Sequence, residues 1–159
     1  MLDLVSRRAE RVAGSQRRDH VKGTPLPIQF NHLLIFARDK HESAHFLTSL
    51  FGLPDPTPAG FFLAVDLAND VTLHYGEPGV DFLSQHYAFL VSDEDFDAIS
   101  TRMRERGMTF WADPQQRLPG QINTNHGGRG VYFMDPSGHG LEIITRPYGS
   151  ADPAGSPQG

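Results

Sequence analysis

The chain has 159 residues, a formal charge of −5, no cysteine, 38% apolar residues and 21% charged residues. That length fits one domain, or two small modules that share a sheet. The missing cysteine excludes disulfides, thiolate catalysis and Cys-ligated zinc, and the acidic balance speaks against nucleic-acid binding.

Residues 1–25 are polar and basic, with arginine pairs at Arg7-Arg8 and Arg17-Arg18, and read as a flexible arm. They lack the apolar stretch of a secretory signal. No apolar run is long enough to span a bilayer, so a cytoplasmic protein without a membrane partner is expected. Residues 26–148 read as the single folded domain. Residues 149–159, rich in Gly, Pro and Ser, read as a disordered tail.

Within the domain, the first module covers about residues 27–80. It opens with an apolar strand over 30–36 (FNHLLIF) that contains His32. Asp39 follows as a helix cap. A helix over 40–51 carries Ala44, Leu47, Leu50 and Phe51 at helical spacing and stops at Gly52. A second strand is only weakly marked around 54–59. Strands over 61–66 and 71–75 complete the module.

The second module, about 81–148, repeats this order. His86 opens a strand over 86–91 (HYAFLV), and Asp93 is expected to cap a helix over 94–106, with Phe96, Ile99 and Met103 on one side and Gly107 as its stop. Strands over 108–112, 130–134 and 141–146 follow. Asp135, Pro136, Ser137 and Gly138 form the turn between the last two. His86 follows His32 by 54 residues (86 − 32), about one supersecondary unit. The fold expected is α+β: two βαβββ modules forming a cupped mixed sheet with helices on its convex face.

Period-two alternation assigns the faces. Leu33, Ile35, Phe89, Val91, Val131, Phe133, Leu141 and Ile143 are expected beneath the helices. The opposite face then collects His32, His86, Tyr132 and Glu142. A Glu inside an apolar strand is uncommon unless it is paired or metal-bound. Arg129 and Arg146 are the candidate partners if it is paired. Two imidazoles and one carboxylate form a facial donor set that leaves room for substrate and O2.

From 128 to 144 the sequence reads GRGVYFMDPSGHGLEII. This segment resembles the terminal hairpin of the vicinal oxygen chelate superfamily, which includes glyoxalase I, bleomycin-resistance proteins, fosfomycin-resistance thiol transferases and extradiol dioxygenases. The resemblance extends over residues 30–148. It implies that His32, His86 and Glu142 ligate a divalent metal, and that Tyr132 points at bound substrate. It also implies a homodimer acting on a small molecule.

The chain departs from individual branches of the family. A fourth ligand of glyoxalase I aligns with Thr72, a poor ligand, with His74 two residues on. Leu34 stands where fosfomycin transferases carry Thr, and the basic phosphonate-binding cluster has no counterpart beyond Arg129 and Arg146.

The resemblance therefore implies an extradiol-type dioxygenase using Fe(II), with Mn(II), Zn(II) and Ni(II) as the other ions such a site takes. His126 and His74 are the candidate acid/base residues. The alternatives are a glyoxalase-type isomerase or lyase, a thiol transferase at the same metal, or a non-catalytic protein that binds an antibiotic or metabolite. His139, in a turn, is expected to be incidental.

Overall fold

A computed structural model describes residues 28–150. The arm and nearly all of the tail lie outside the described residues. The elements run β1 (His32–Phe36), α1 (Lys40–Phe51), β2 (Thr57–Ala59), β3 (Phe62–Asp66), β4 (Thr72–Gly76), β5 (His86–Leu90), α2 (Asp93–Glu105), β6 (Phe110–Trp111), β7 (Gly130–Met134) and β8 (Gly140–Ile144). The two βαβββ modules are β1 to β4 and β5 to β8.

Each module makes its own four-stranded sheet, in the orders β1-β4-β3-β2 and β5-β8-β7-β6. The first strand of each pairs in parallel with the last, and the remaining pairs are antiparallel. The expected mixed sheet is therefore present as two halves, with β1 and β5 as outer strands. The strand that was hard to read from sequence, β2, is three residues long and includes Pro58. Proline cannot donate to a ladder, which suits the edge it occupies.

Local chemistry sets the helix ends. Asp39 caps α1 by accepting from the backbone N–H of His41 and Glu42 at 2.8 and 3.0 Å. Gly52 ends it at φ 73°, a left-handed geometry that favours glycine. The α2 cap differs from expectation. Ser92, one residue earlier, accepts from the Asp95 N–H at 3.0 Å, and Asp93 is the first helical residue. With the backbone donor taken by Ser92, the Asp93 carboxylate turns to the arginines described below.

One core serves both modules. Ile35, Val131, Phe133, Leu141 and Ile143 are buried in it, and Leu33, Phe89 and Val91 pack against it, as alternation predicts. Phe51 of α1 meets Phe89 of β5 edge-on at 5.0 Å. Arg102 of α2 donates to the Leu50 carbonyl at 3.0 Å. Fully burying a Leu or Phe side chain contributes about 1.5–3 kcal/mol, so this shared apolar layer dominates cohesion between the modules.

His139 contributes a polar clamp. It is 1% exposed, so the reading of an incidental turn residue is corrected. Its Nδ1 accepts from the Gln85 N–H at 3.0 Å. With that nitrogen accepting, Nε2 carries the proton and donates to the Phe36 carbonyl at 2.7 Å. Phe36 ends β1 and Gln85 precedes β5, so one neutral imidazole ties the modules together. Nothing in its turn sequence marks a buried residue; only the tertiary fold brings Phe36 and Gln85 to it.

Candidate functional site

The site grows from strand register. In module two His86 stands opposite Gly140, and Ala88 opposite Glu142. Tyr132 of β7 stands opposite Glu142 on its other side. The three expected residues therefore share one face. A Cβ at Gly140 would lie 3.6 Å from His86 Nδ1, an ordinary contact, so the imidazole packs directly over this strand. His86 Nε2 comes within 3.2 Å of Glu142 Oε2.

Glu142 is 1% exposed, an unusual place for a carboxylate. A buried carboxylate needs donors, and a residue missed in the sequence supplies them. The Tyr148 hydroxyl lies 2.9 Å from Glu142 Oε1 and 3.0 Å from Oε2. Tyr132 and Tyr148 hydroxyls are 3.0 Å apart. Since Tyr148 donates to the carboxylate, Tyr132 donates to Tyr148. Burial, the hydrogen bond to Tyr148 and the charge of Glu142 push the Tyr132 phenol well above its ordinary range. Burial, together with Glu142, also raises Tyr148. Both phenols hold their protons at neutral pH and act as donors.

The one sequence signal for Tyr148 was its place just past Pro147, where the chain leaves β8 and turns, with Ser150 N–H donating to the Pro147 carbonyl at 3.1 Å. His126 reaches the site only through that phenol, with ring centroids 4.8 Å apart.

Module one holds the other two histidines. His32 and His74 rings lie 5.4 Å apart. His32 Nδ1 is 2.8 Å from Asn31 Oδ1, which fixes the proton on Nδ1 and leaves Nε2 free to accept. Register also corrects an alignment. His74 stands opposite Leu34, two beyond His32, just as Glu142 stands opposite Ala88, two beyond His86. His74, rather than Thr72, is the counterpart of Glu142. Thr72 instead donates to Asp66 at 2.6 Å.

The two clusters lie on separate sheets. Among the described residues, no three His, Asp or Glu side chains gather closely enough within one chain to hold an ion. His86 and Glu142 come together, with Tyr132 and His126 beside them. His32 sits with His74 instead.

The pair in module two fits two ligands of one ion. Donors about 2.1 Å from an ion and at about a right angle stand about 3 Å apart, and His86 Nε2 and Glu142 Oε2 are separated by 3.2 Å. Neither candidate arginine pairs with Glu142. Arg129 bonds Asp93 at 3.0 Å, also pairs with Asp97 and lies over the Phe96 ring at 4.5 Å. Arg146 bonds Asp93 at 3.2 Å. The hydrogen bond with Asp97, ahead of that with Asp93, raises Arg129. Around the face that carries these donors the chain exposes apolar groups: Phe30, Leu34 and Phe36 by β1, and Leu90 of β5.

Paired βαβββ modules, each presenting an imidazole from its first strand and a second polar donor from its last, define the class of scaffold. The chain belongs to the Glyoxalase/Bleomycin resistance protein/Dioxygenase superfamily, whose model matches residues 29–143. The solved structure of Oxidase ChaP-H1 is 52% identical, covers 77% of this chain and 98% of that chain, and superposes with TM-score 0.75. Oxidase ChaP-H2, also 52% identical, covers 79% and 98% with the same TM-score. Glutathione transferase FosA of Serratia marcescens is 32% identical over 120 residues, 71% of this chain and 77% of that protein.

Proposed function

We propose that the chain is a metal-dependent oxidase of small, largely apolar aromatic molecules. In this reading His86 and Glu142 are two ligands of a divalent ion, Fe(II) first among the candidates. His32 from module one of a second copy is the third. The observation that carries the reading is the buried Glu142 carboxylate 3.2 Å from His86, in a cluster of phenols, with Arg129 and Arg146 both paired to aspartates instead. A bound ion of this kind supplies a Lewis-acidic, redox-capable position with open sides. Tyr132 offers an O–H donor to a substrate oxygen, and Leu34 and Leu90 offer apolar surface that excludes water.

A second copy is invoked because each chain separates His32 from the pair, while β1 and β5 remain outer strands with apolar side chains turned outward. Exposed apolar surface of this kind marks interfaces.

Thiol transfer is the second reading. The likeness to Glutathione transferase FosA favours it over the ring-cleaving dioxygenation expected from the sequence. Against it, Arg129 and Arg146 are held by Asp93 and Asp97, so neither is free to bind an anionic substrate. The 52% identity to two oxidases adds weight to oxidation.

The test is to purify the protein anaerobically, load it with Fe(II) and screen hydroxylated aromatics for oxygen uptake. Parallel assays follow loss of glutathione thiol in the presence of an epoxide. Oxygen uptake without thiol loss is expected. Thiol loss without oxygen uptake establishes transfer instead, and neither signal, with metal absent, leaves a binding protein.

A further inference from the structure

Glu142 Oε1 has one hydrogen-bond partner among the described residues, the Tyr148 hydroxyl, which also spans to Oε2. The phenol therefore covers the open edge of the carboxylate, the side an incoming ion must approach to take both oxygens. Tyr148 is nevertheless 60% exposed and lies four residues beyond the end of β8. Its anchors are its hydroxyl bonds and its ring contact with His126. The side chain is thus well bonded at its tip and free at its base, the arrangement of a displaceable cover. A buried carboxylate left without donors is costly, and the Tyr148 hydroxyl supplies the donor at both oxygens.

We propose that Tyr148 is a gate on Glu142: its phenol occupies the carboxylate in the resting protein, and it swings into solvent when a metal ion takes its place. The inference rests on Glu142 being a ligand, as proposed above. It predicts that Tyr148 competes with the ion, whereas a residue that merely orients Glu142 would assist binding. The two roles give opposite signs. Removing an orienting partner weakens metal affinity, commonly by about 10- to 100-fold. Removing a competitor strengthens it. A hydrogen bond to a charged group sets the scale of the gain at roughly tenfold.

The experiment titrates the full-length chain with cobalt(II), read by visible absorption and by calorimetry. It compares wild type, Tyr148→Phe, Tyr148→Ala and Glu142→Gln, each checked for folding by circular dichroism. The expected result is Glu142-dependent binding that tightens roughly tenfold in both Tyr148 variants. Equal or weaker binding in those variants, with Glu142→Gln still deficient, overturns the gate and leaves the ligand assignment standing. Wild type and Glu142→Gln binding cobalt alike overturns the ligand assignment and the gate with it.

Discussion

Module one and module two share their strand register residue for residue, yet their last strands carry different donors at the matched position. Module two places Glu142 there, sealed by Tyr132, Tyr148 and His86. Module one places His74, with Ala64 where module two has Tyr132. One half carries a buried carboxyl at this position and the other an imidazole. In the proposed site the donors His86 and Glu142 come from module two, and His32 of module one would complete them.

Packing shows the same asymmetry, and the largest expected effect tests it. Phe133 of β7 and Val65 of β3 are register counterparts, both buried. Phe133→Ala is expected to cost about 3–5 kcal/mol, and Val65→Ala about 2 kcal/mol. Urea unfolding of both variants measures the difference. Equal losses would mean that the modules share the core evenly.

The ligand comparison comes next in size. Glu142→Ala is expected to weaken metal binding by more than about 100-fold, about 2.7 kcal/mol. His74→Ala is expected to stay within about tenfold. Calorimetric titration with cobalt(II) or manganese(II) checks the pair, and a larger loss in His74→Ala would move the centre of the site into module one.

Much of this architecture was readable from residue types. The helix stop at Gly52, the Asp39 cap and the eight core positions follow from periodicity and capping, which are local. Grouping His86, Tyr132 and Glu142 on one face needed only period two. The parts that escaped depend on relations between strands or on tertiary approach. Aligning β4 by text alone put Thr72 where register puts His74. Asp93 looked like a cap, but Ser92 reached the free N–H groups first. Tyr148 and His139 take their roles from partners brought close only by folding. That His32 lies apart from His86 is a fact of sheet order, which spacing cannot encode.

His139 offers a third contrast. Its register counterpart in module one is Val71, which is buried but purely apolar. His139→Ala leaves the Gln85 N–H and the Phe36 carbonyl without partners, and is expected to cost about 2 kcal/mol. Because the clamp joins the modules, urea unfolding should also lose cooperativity, with Trp111 fluorescence and far-ultraviolet circular dichroism giving separate midpoints. Coincident midpoints would show that the apolar layer alone couples the halves.

The smallest effect separates the two matched aspartates. Asp39 and Asp93 both lie below the ordinary carboxylate range. Asp39 is lowered chiefly by the Glu42 backbone N–H, and Asp93 chiefly by its bond to the Arg129 guanidinium. A carboxylate whose folded pKa is depressed stabilises the fold above its unfolded value, about 3.9. That contribution disappears as pH falls through the lower, folded value. Asp39→Ala and Asp93→Asn should therefore both lose stability at neutral pH, with deficits that shrink in acid. Salt should tell them apart. The Asp93 contribution comes from an exposed ion pair that salt screens, so the Asp93→Asn deficit should shrink in molar sodium chloride. The Asp39 contribution comes from backbone hydrogen bonds at a helix start, which alanine cannot accept, so the Asp39→Ala deficit should persist. Thermal unfolding at pH 7 in low and high salt reads both. If salt abolishes the two deficits equally, the two helix starts are held by the same force and the distinction between cap and ion pair fails.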